Sequence, residues 1–288
     1  MRSHFTPVSV GKKTIRSHFI SGAAIACAVT GATALMPNNG AAQIALDQAS
    51  NSIYGSGWSA GQNGGYGFGA WSFDGTSGGG GQEMSSAGAI GTAWTLFTTT
   101  TGSGISDVGR AITAGGGLGV GQTFQTVIQN PTSYHYFGGF DILFLNATDN
   151  NGAGVNTAVL RAGAFDSAYY NPGTLWSAND NGGGSYNTTL SGPTTGAAGV
   201  QIDLTLNSAT AYTLTMTALN GGGTYMYNGS YSGPINYVNF RLYDGVGSTG
   251  PNDVADNYGI SYMEVVPEPA SMALVGLGLA GLAFFRRK

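Results

Sequence analysis

The chain is 288 residues long, with ten Lys and Arg, fourteen Asp and Glu, and one cysteine. Seven of the ten basic residues fall in the first sixteen or the last three positions, so the stretch from Gln43 to Val266 holds three arginines, no lysine and thirteen acidic residues, a net −10. A field of that sign repels phosphate backbones and anionic lipid, which excludes nucleic acid as a partner; without a lysine the body has no Walker-type nucleotide site either.

Lys12, Lys13 and Arg16 precede a moderately apolar run over 19–36, which is followed by "PNNGAAQ" with Gly40 and Ala42 as small residues. A charged region, an apolar region and a small-residue site in that order predict a signal peptide over 1–42, cut by signal peptidase between Ala42 and Gln43. The alternative is a buried or membrane-spanning N-terminal helix, which Pro37 and the two asparagines after it would break. Cys27, in "AIAC", offers a lipoprotein acceptor, but the apolar run continues for nine residues beyond it. Once the leader is removed no cysteine remains, so disulfides and thiolate chemistry are excluded from the mature chain.

The body, 43–265, is rich in glycine: 43 of the residues from Gln43 to Val266, near 19% against the usual ~7%. Its first biased stretch, "SGWSAGQNGGYGFGAWSF" over 56–73, alternates glycine with aromatics. It reads as a first strand whose rings fill an interior. The alternative is a platform on which Trp58, Tyr66 and Trp71, together with Trp176, stack on sugar rings.

Further along, "GVQIDLTL" sets Val200, Ile202, Leu204 and Leu206 on one face, "YTLTMTA" repeats the pattern from Tyr212, and "YVNFRLYDG" from Val238. Alternation of this kind predicts half-buried antiparallel strands. Others are expected over 94–100, 118–128, 136–145, 157–165, 225–230 and 258–265, separated by Gly- and Asn-rich turns. Nine to twelve strands with no helical period predict an all-β, jelly-roll, concanavalin-like two-sheet β-sandwich, with a barrel as the alternative.

Chemistry-bearing residues are sparse. Glu83 and Glu264 are the only glutamates of the body, far apart in sequence, where a glycoside hydrolase needs two carboxyl groups at a fixed separation. His135 is the one histidine after the leader, too few for a zinc site and set among aromatics in "PTSYHYF". The sequence therefore predicts no enzyme and no cofactor beyond structural calcium. For calcium, Asp149 and Asn151, Asp180, and Asp253 and Asp256 offer hard oxygens in "TDNNGAG", "ANDNGGG" and "NDVADN". Asn and Asp beside Gly are also ordinary turn residues.

The tail, 266–288, begins with Pro267, Glu268 and Pro269, continues through uncharged residues 270–285, and ends in Arg286, Arg287 and Lys288. Sixteen residues give a helix of roughly 24 Å, a short transmembrane span. Its seven strongest apolar side chains favour insertion by roughly 3 kcal/mol, and the three terminal cations stop translocation and hold the end in the cytoplasm. "VPEPASMALVGLGLAGLAFFRRK" resembles the PEP-CTERM sorting signal. That resemblance implies recognition by an exosortase, a membrane cysteine protease-transpeptidase. It would process the chain near Pro267-Glu268-Pro269 and pass it from the inner membrane to the cell surface or extracellular matrix. The expected function is that of a non-catalytic exported protein associated with exopolysaccharide or biofilm. A lectin-like carbohydrate-binding module is the alternative and a glycan-acting enzyme the third reading.

Overall fold

The computed structural model describes residues 43–77, 80–98, 105–129, 139–146, 158–164, 175–181, 185–191, 198–243 and 257–267. Among them fifteen strands form two antiparallel sheets. The first holds β1 (Ala45–Gln48), β3 (Gly80–Ala87), β4 (Gly91–Thr98), β6 (Gln122–Gln129), β11 (Val200–Leu206), β12 (Ala211–Ala218), β13 (Gly223–Ser230) and β15 (Asn257–Pro267). Its order is β13-β12-β11-β6-β15-β4-β3, with β1 also paired to β15. The second holds β2 (Ser72–Ser77), β5 (Ile105–Ala111), β7 (Gly139–Leu145), β8 (Leu160–Ala164), β9 (Leu175–Asp180), β10 (Ser185–Ser191) and β14 (Tyr237–Tyr243). Its order is β10-β9-β8-β7-β14-β5-β2.

Period-two sequence is what builds the interior. β11 and β12 pair in continuous register and bury every second residue. From the other sheet Phe140, Ile142 and Phe144 of β7 and Val238, Phe240 and Leu242 of β14 face them in one core cluster. Aromatic pairs bridge the sheets: Phe140 stacks on Tyr258 at 4.4 Å and Phe124 meets Phe144 edge-on at 5.3 Å. Each such side chain contributes about 1.5–3 kcal/mol on burial.

The strand expected over 56–73 does not form; that stretch is a loop laid against β1, and β2 begins only at Ser72. Tyr66 bridges Leu46 through two backbone bonds of 3.0 Å. The flanking glycines explain the close approach. A Cβ on Gly65 would sit 1.8 Å from the Leu46 carbonyl oxygen, and Gly67 has φ +73° with Ala45 beneath it. Trp58, Phe68 and Trp71 of the loop are interior as expected, whereas Tyr66 is exposed; Trp71 packs edge-on against Trp58 and Trp94 at 5.0 Å each.

Other expectations shift at their ends. The strand predicted over 118–128 starts at Gln122, because Leu118 instead bridges Ile235. The strand predicted over 258–265 runs from Asn257 to Pro267. Six strands went unpredicted, β1, β2, β3, β5, β9 and β10, all short on alternating apolar residues. No helix among the described residues is long and apolar enough to cross a membrane; the expected signal peptide over 1–42 and the expected span over 270–285 lie outside those residues.

Candidate functional site

β15 carries the sorting tail, and its surroundings fix where that tail leaves the fold. On one side β6 pairs with it from Gly259 to Pro267, with a register shift between Ile260 and Tyr262. On the other side β4 covers Asn257–Ile260 and β1 covers Tyr262–Val265. Pro267 lacks an N–H to donate, and it sits opposite Gln122, two residues past the last β1 partner. The strand thus reaches two residues beyond the expected boundary at 265. The N-terminal end of the body meets the same place: Ile44 N–H donates to the Val265 carbonyl at 2.8 Å, and the Gln43 amide donates to the Glu264 carboxyl at 2.6 Å. Of the sorting motif Pro267 is described; Glu268, Pro269, Arg286, Arg287 and Lys288 lie outside the described residues, as does Ala42.

The outer face of the seven-stranded sheet holds a row the sequence reading missed. Asp107 on β5, Arg241 on β14 and Asp141 on β7 lie level across three adjacent strands. Arg241 Nε stands 3.8 Å from Asp107 Oδ2, and Arg161 on β8 pairs with Asp141. One row further, Tyr237 and Asn239 donate to Asp74 Oδ2 at 3.0 and 3.4 Å. Burial raises the Asp141 carboxyl pKa while Arg161 and Arg241 pull it back; burial and Asp74 raise that of the Tyr237 phenol. The only sequence signal for this row was an isolated charge in each of β7 and β14 and two in β5, and pairing between them is invisible before register is known.

All three arginines of the body are engaged in this way, since Arg110 pairs with Asp47 in the interior. With no lysine between Gln43 and Val266, the body has no uncommitted basic side chain with which to hold a polyanion.

The outer face of the eight-stranded sheet is different in kind. Thr213, Thr215 and Thr217 on β12, Gln201, Asp203 and Thr205 on β11 and Thr123 and Gln125 on β6 form a lattice of hydroxyls and amides in continuous register. Asp203, Gln125 and Glu264 lie in one row. Burial pushes the Asp203 carboxyl up to about 6, with Glu264 adding to the rise and Gln201 opposing it; burial also raises Glu264. Asp203 and Glu264 stand two strands apart in that row, with Gln125 between them. Glu83 lies level with Gly259 across β4, five residues short of Glu264, which is roughly 15 Å along the strand.

Of the residues predicted to stack on sugars, those whose side chains are described do not share a surface. Trp58 and Trp71 are interior, 6% and 2% exposed, with no ring face open to a ligand, whereas Tyr66 is 49% exposed. Trp176 lies in β9, but its side chain is outside the described residues. Of the calcium candidates, Asp180 ends β9, is buried, and accepts the Tyr212 hydroxyl at 2.8 Å. That places it in a strand rather than in the expected turn. Asp149, Asn151, Asp253 and Asp256 lie outside the described residues, as does His135. Among the described residues no three His, Cys, Asp or Glu side chains gather to hold a metal ion.

Comparison with known proteins finds residues 265–288 matching the PEP-CTERM protein-sorting motif. No curated protein sequence matches the chain. Among solved structures, the globular domain of T. cruzi calreticulin is similar at TM-score 0.47 and 10% identity, covering 71% of this chain and 87% of that one. A structure from work on endo-acting O-glycanases that human gut microbiota express to initiate mucin breakdown gives 0.45 and 9%, covering 78% and 99%. The carbohydrate recognition domain of Emp47p gives 0.40 and 10%, covering 81% and 99%. Likeness at that level carries nothing about the activity of this chain.

Proposed function

We propose, from the PEP-CTERM protein-sorting motif at residues 265–288, that this is a non-catalytic exported protein whose body an exosortase delivers to the cell surface or matrix. The observation that carries the reading is the continuity of motif and fold. Pro267, the first residue of Pro267-Glu268-Pro269, is also the last residue of β15. A strand held between β6 and β1 presents the motif at the margin of a finished domain, where processing after Pro267 removes the tail and leaves the sheet whole.

The body is then a concanavalin-like jelly roll on a removable tether, anchored in the inner membrane until processing. Its partner in the matrix is neutral polysaccharide, because every arginine is committed to an aspartate and no lysine is present. The Thr and Gln lattice on the eight-stranded sheet favours a lectin-like role as the second reading, hydroxyls and amides being the groups that bond neutral sugars. For calcium, Asp149, Asn151, Asp253 and Asp256 remain as candidate hard-oxygen donors.

The test follows a tagged chain in cells with and without their exosortase. With the enzyme, a shortened body appears at the surface or in the medium; without it, the full chain stays in the membrane. Identical size and distribution in both strains would end the proposal.

A further inference from the structure

The outermost strands of the two sheets are unlike one another. β2 breaks register against β5 between Phe73 and Gly75, where it carries Asp74, and β10 shifts against β9 between Asn187 and Ser191. β3 carries the exposed carboxylate Glu83. Bulges and charges of this sort are how natural sheets keep an edge from pairing with another chain. β13 has neither. It pairs with β12 at all eight positions without a shift, contains no charge and no proline, and among the described residues has no hydrogen-bonded strand on its other side, although β10 of the facing sheet approaches it.

The sequence of β13 adds a second, independent observation. "GTYMYNG", from Gly223 to Gly229, reads almost the same in both directions about Met226. Met226 lies on the outer face, 65% exposed. Thr224 and Asn228 lie on that face too, bonded to Thr217 and Thr213 of β12. Tyr225 and Tyr227 lie on the inner face, packed against the core.

We infer that β13 is a self-pairing edge, and that two copies of this chain join through antiparallel β13–β13 pairing about a two-fold axis at Met226. Tyr225 then faces Tyr227 of the second copy, Thr224 faces Asn228, and Met226 faces its own counterpart. Like meets like at every position, no charges oppose, and the two eight-stranded sheets become one continuous sheet. Such an interface is self-complementary and closes after two copies, because each pairing consumes the edge on both sides. It therefore gives a dimer and not a fibre. The pairing is independent of the sorting tail, so its failure would leave the proposed function untouched.

The test uses the full chain extracted in mild detergent, in a Cys27→Ser background. Directly opposed residues of an antiparallel pair have Cα atoms about 4.5–5.5 Å apart, inside the range a disulfide spans. Met226→Cys is therefore expected to give a disulfide-linked dimer on mild oxidation. Thr215→Cys, level with Met226 but one strand in from the edge, is expected to stay a single chain. In parallel, Met226→Lys sets two like charges on the axis and shifts the sedimenting protein from twice the chain mass to the chain mass, with its circular dichroism unchanged. A parent chain that sediments as a monomer overturns the inference. So does equal cross-linking through Thr215→Cys, or a dimer that survives Met226→Lys.

Discussion

Arg110 and Asp47 form an ion pair at 2.5 Å with both side chains fully buried, and it crosses the sandwich from β5 to β1. The guanidinium also donates to the Gly69 carbonyl and to Asn63, and lies 4.7 Å over the Trp71 ring. Asp47 accepts the Tyr54 hydroxyl at 2.6 Å, and burial, followed by that contact, pushes the phenol up to about 12. One buried cation thus fastens the first strand, the glycine-rich loop and the opposite sheet.

Removing one member of such a pair leaves the other charged and buried, which costs about 3–5 kcal/mol. Arg110→Met, which keeps much of the contact with Trp71, and Asp47→Ala are each expected to lower the unfolding free energy by that order in urea titration. The double variant is expected to lose less than the sum of the two, the difference being the coupling within the pair.

Gly65 tests the packing of the loop on β1. Its missing Cβ would stand 1.8 Å from a backbone oxygen, which a rotamer change cannot relieve. Gly65→Ala is expected to destabilise by at least about 1–3 kcal/mol, as overpacking does. Gly75→Ala, with nothing within 4 Å, is the control whose melting temperature stays close to the parent value.

Asp203 sets a pH dependence with a definite sign. Its folded pKa is raised from 3.8 to about 6, so the stability it contributes is full below about pH 4 and is lost as pH rises through 6. Glu264 is shifted in the same direction and acts with it. Asp203→Asn is expected to raise stability at pH 7 by up to roughly 3 kcal/mol and to flatten the melting-temperature profile between about pH 4 and 6. A parent and a variant with parallel profiles would contradict this.

The committed arginines bear on recognition. Binding of the body to a neutral polysaccharide is expected to be unchanged between about 0.05 and 0.5 M salt, since no exposed ion pair is there to be screened. An acidic polysaccharide is expected to bind only when a divalent cation bridges it to the aspartates, and to be released by chelator. Salt-sensitive, metal-independent binding to an acidic polymer would contradict the assignment of all three arginines.

The sandwich was legible where sequence alternates between apolar and polar, as in β11, β12 and β14, because one face of each strand is buried by the other sheet. It was illegible at β5, whose "ISDVGRA" shows two charges in seven residues yet has a continuously buried centre. Asp107 is buried because Arg241 lies opposite, and Arg110 because Asp47 lies across the core. Those partners are far apart in sequence and become neighbours only through strand order. The 56–73 stretch misled for a related reason: its period of two reflects glycines that clear a path along β1, not a ladder of its own. The tail was legible because its order along the chain is itself the signal.

Truncation at the end of β15 separates the sorting role of the tail from its structural continuity. A chain ending at Pro267 keeps all four β1 partners, Tyr262 to Val265, and the β6 partners through Gln122. It is expected to melt at the parent temperature and to lose membrane retention. A chain ending at Tyr262 strips β1 of three of its four partners and removes Met263 and Val265 from the core. Leu- or Met-sized losses of that kind cost about 2–5 kcal/mol each when only one side chain is shortened, so this chain is expected not to fold. If instead the chain ending at Pro267 melted well below the parent, residues past 267 would be part of the domain, and processing there could not leave the sheet intact.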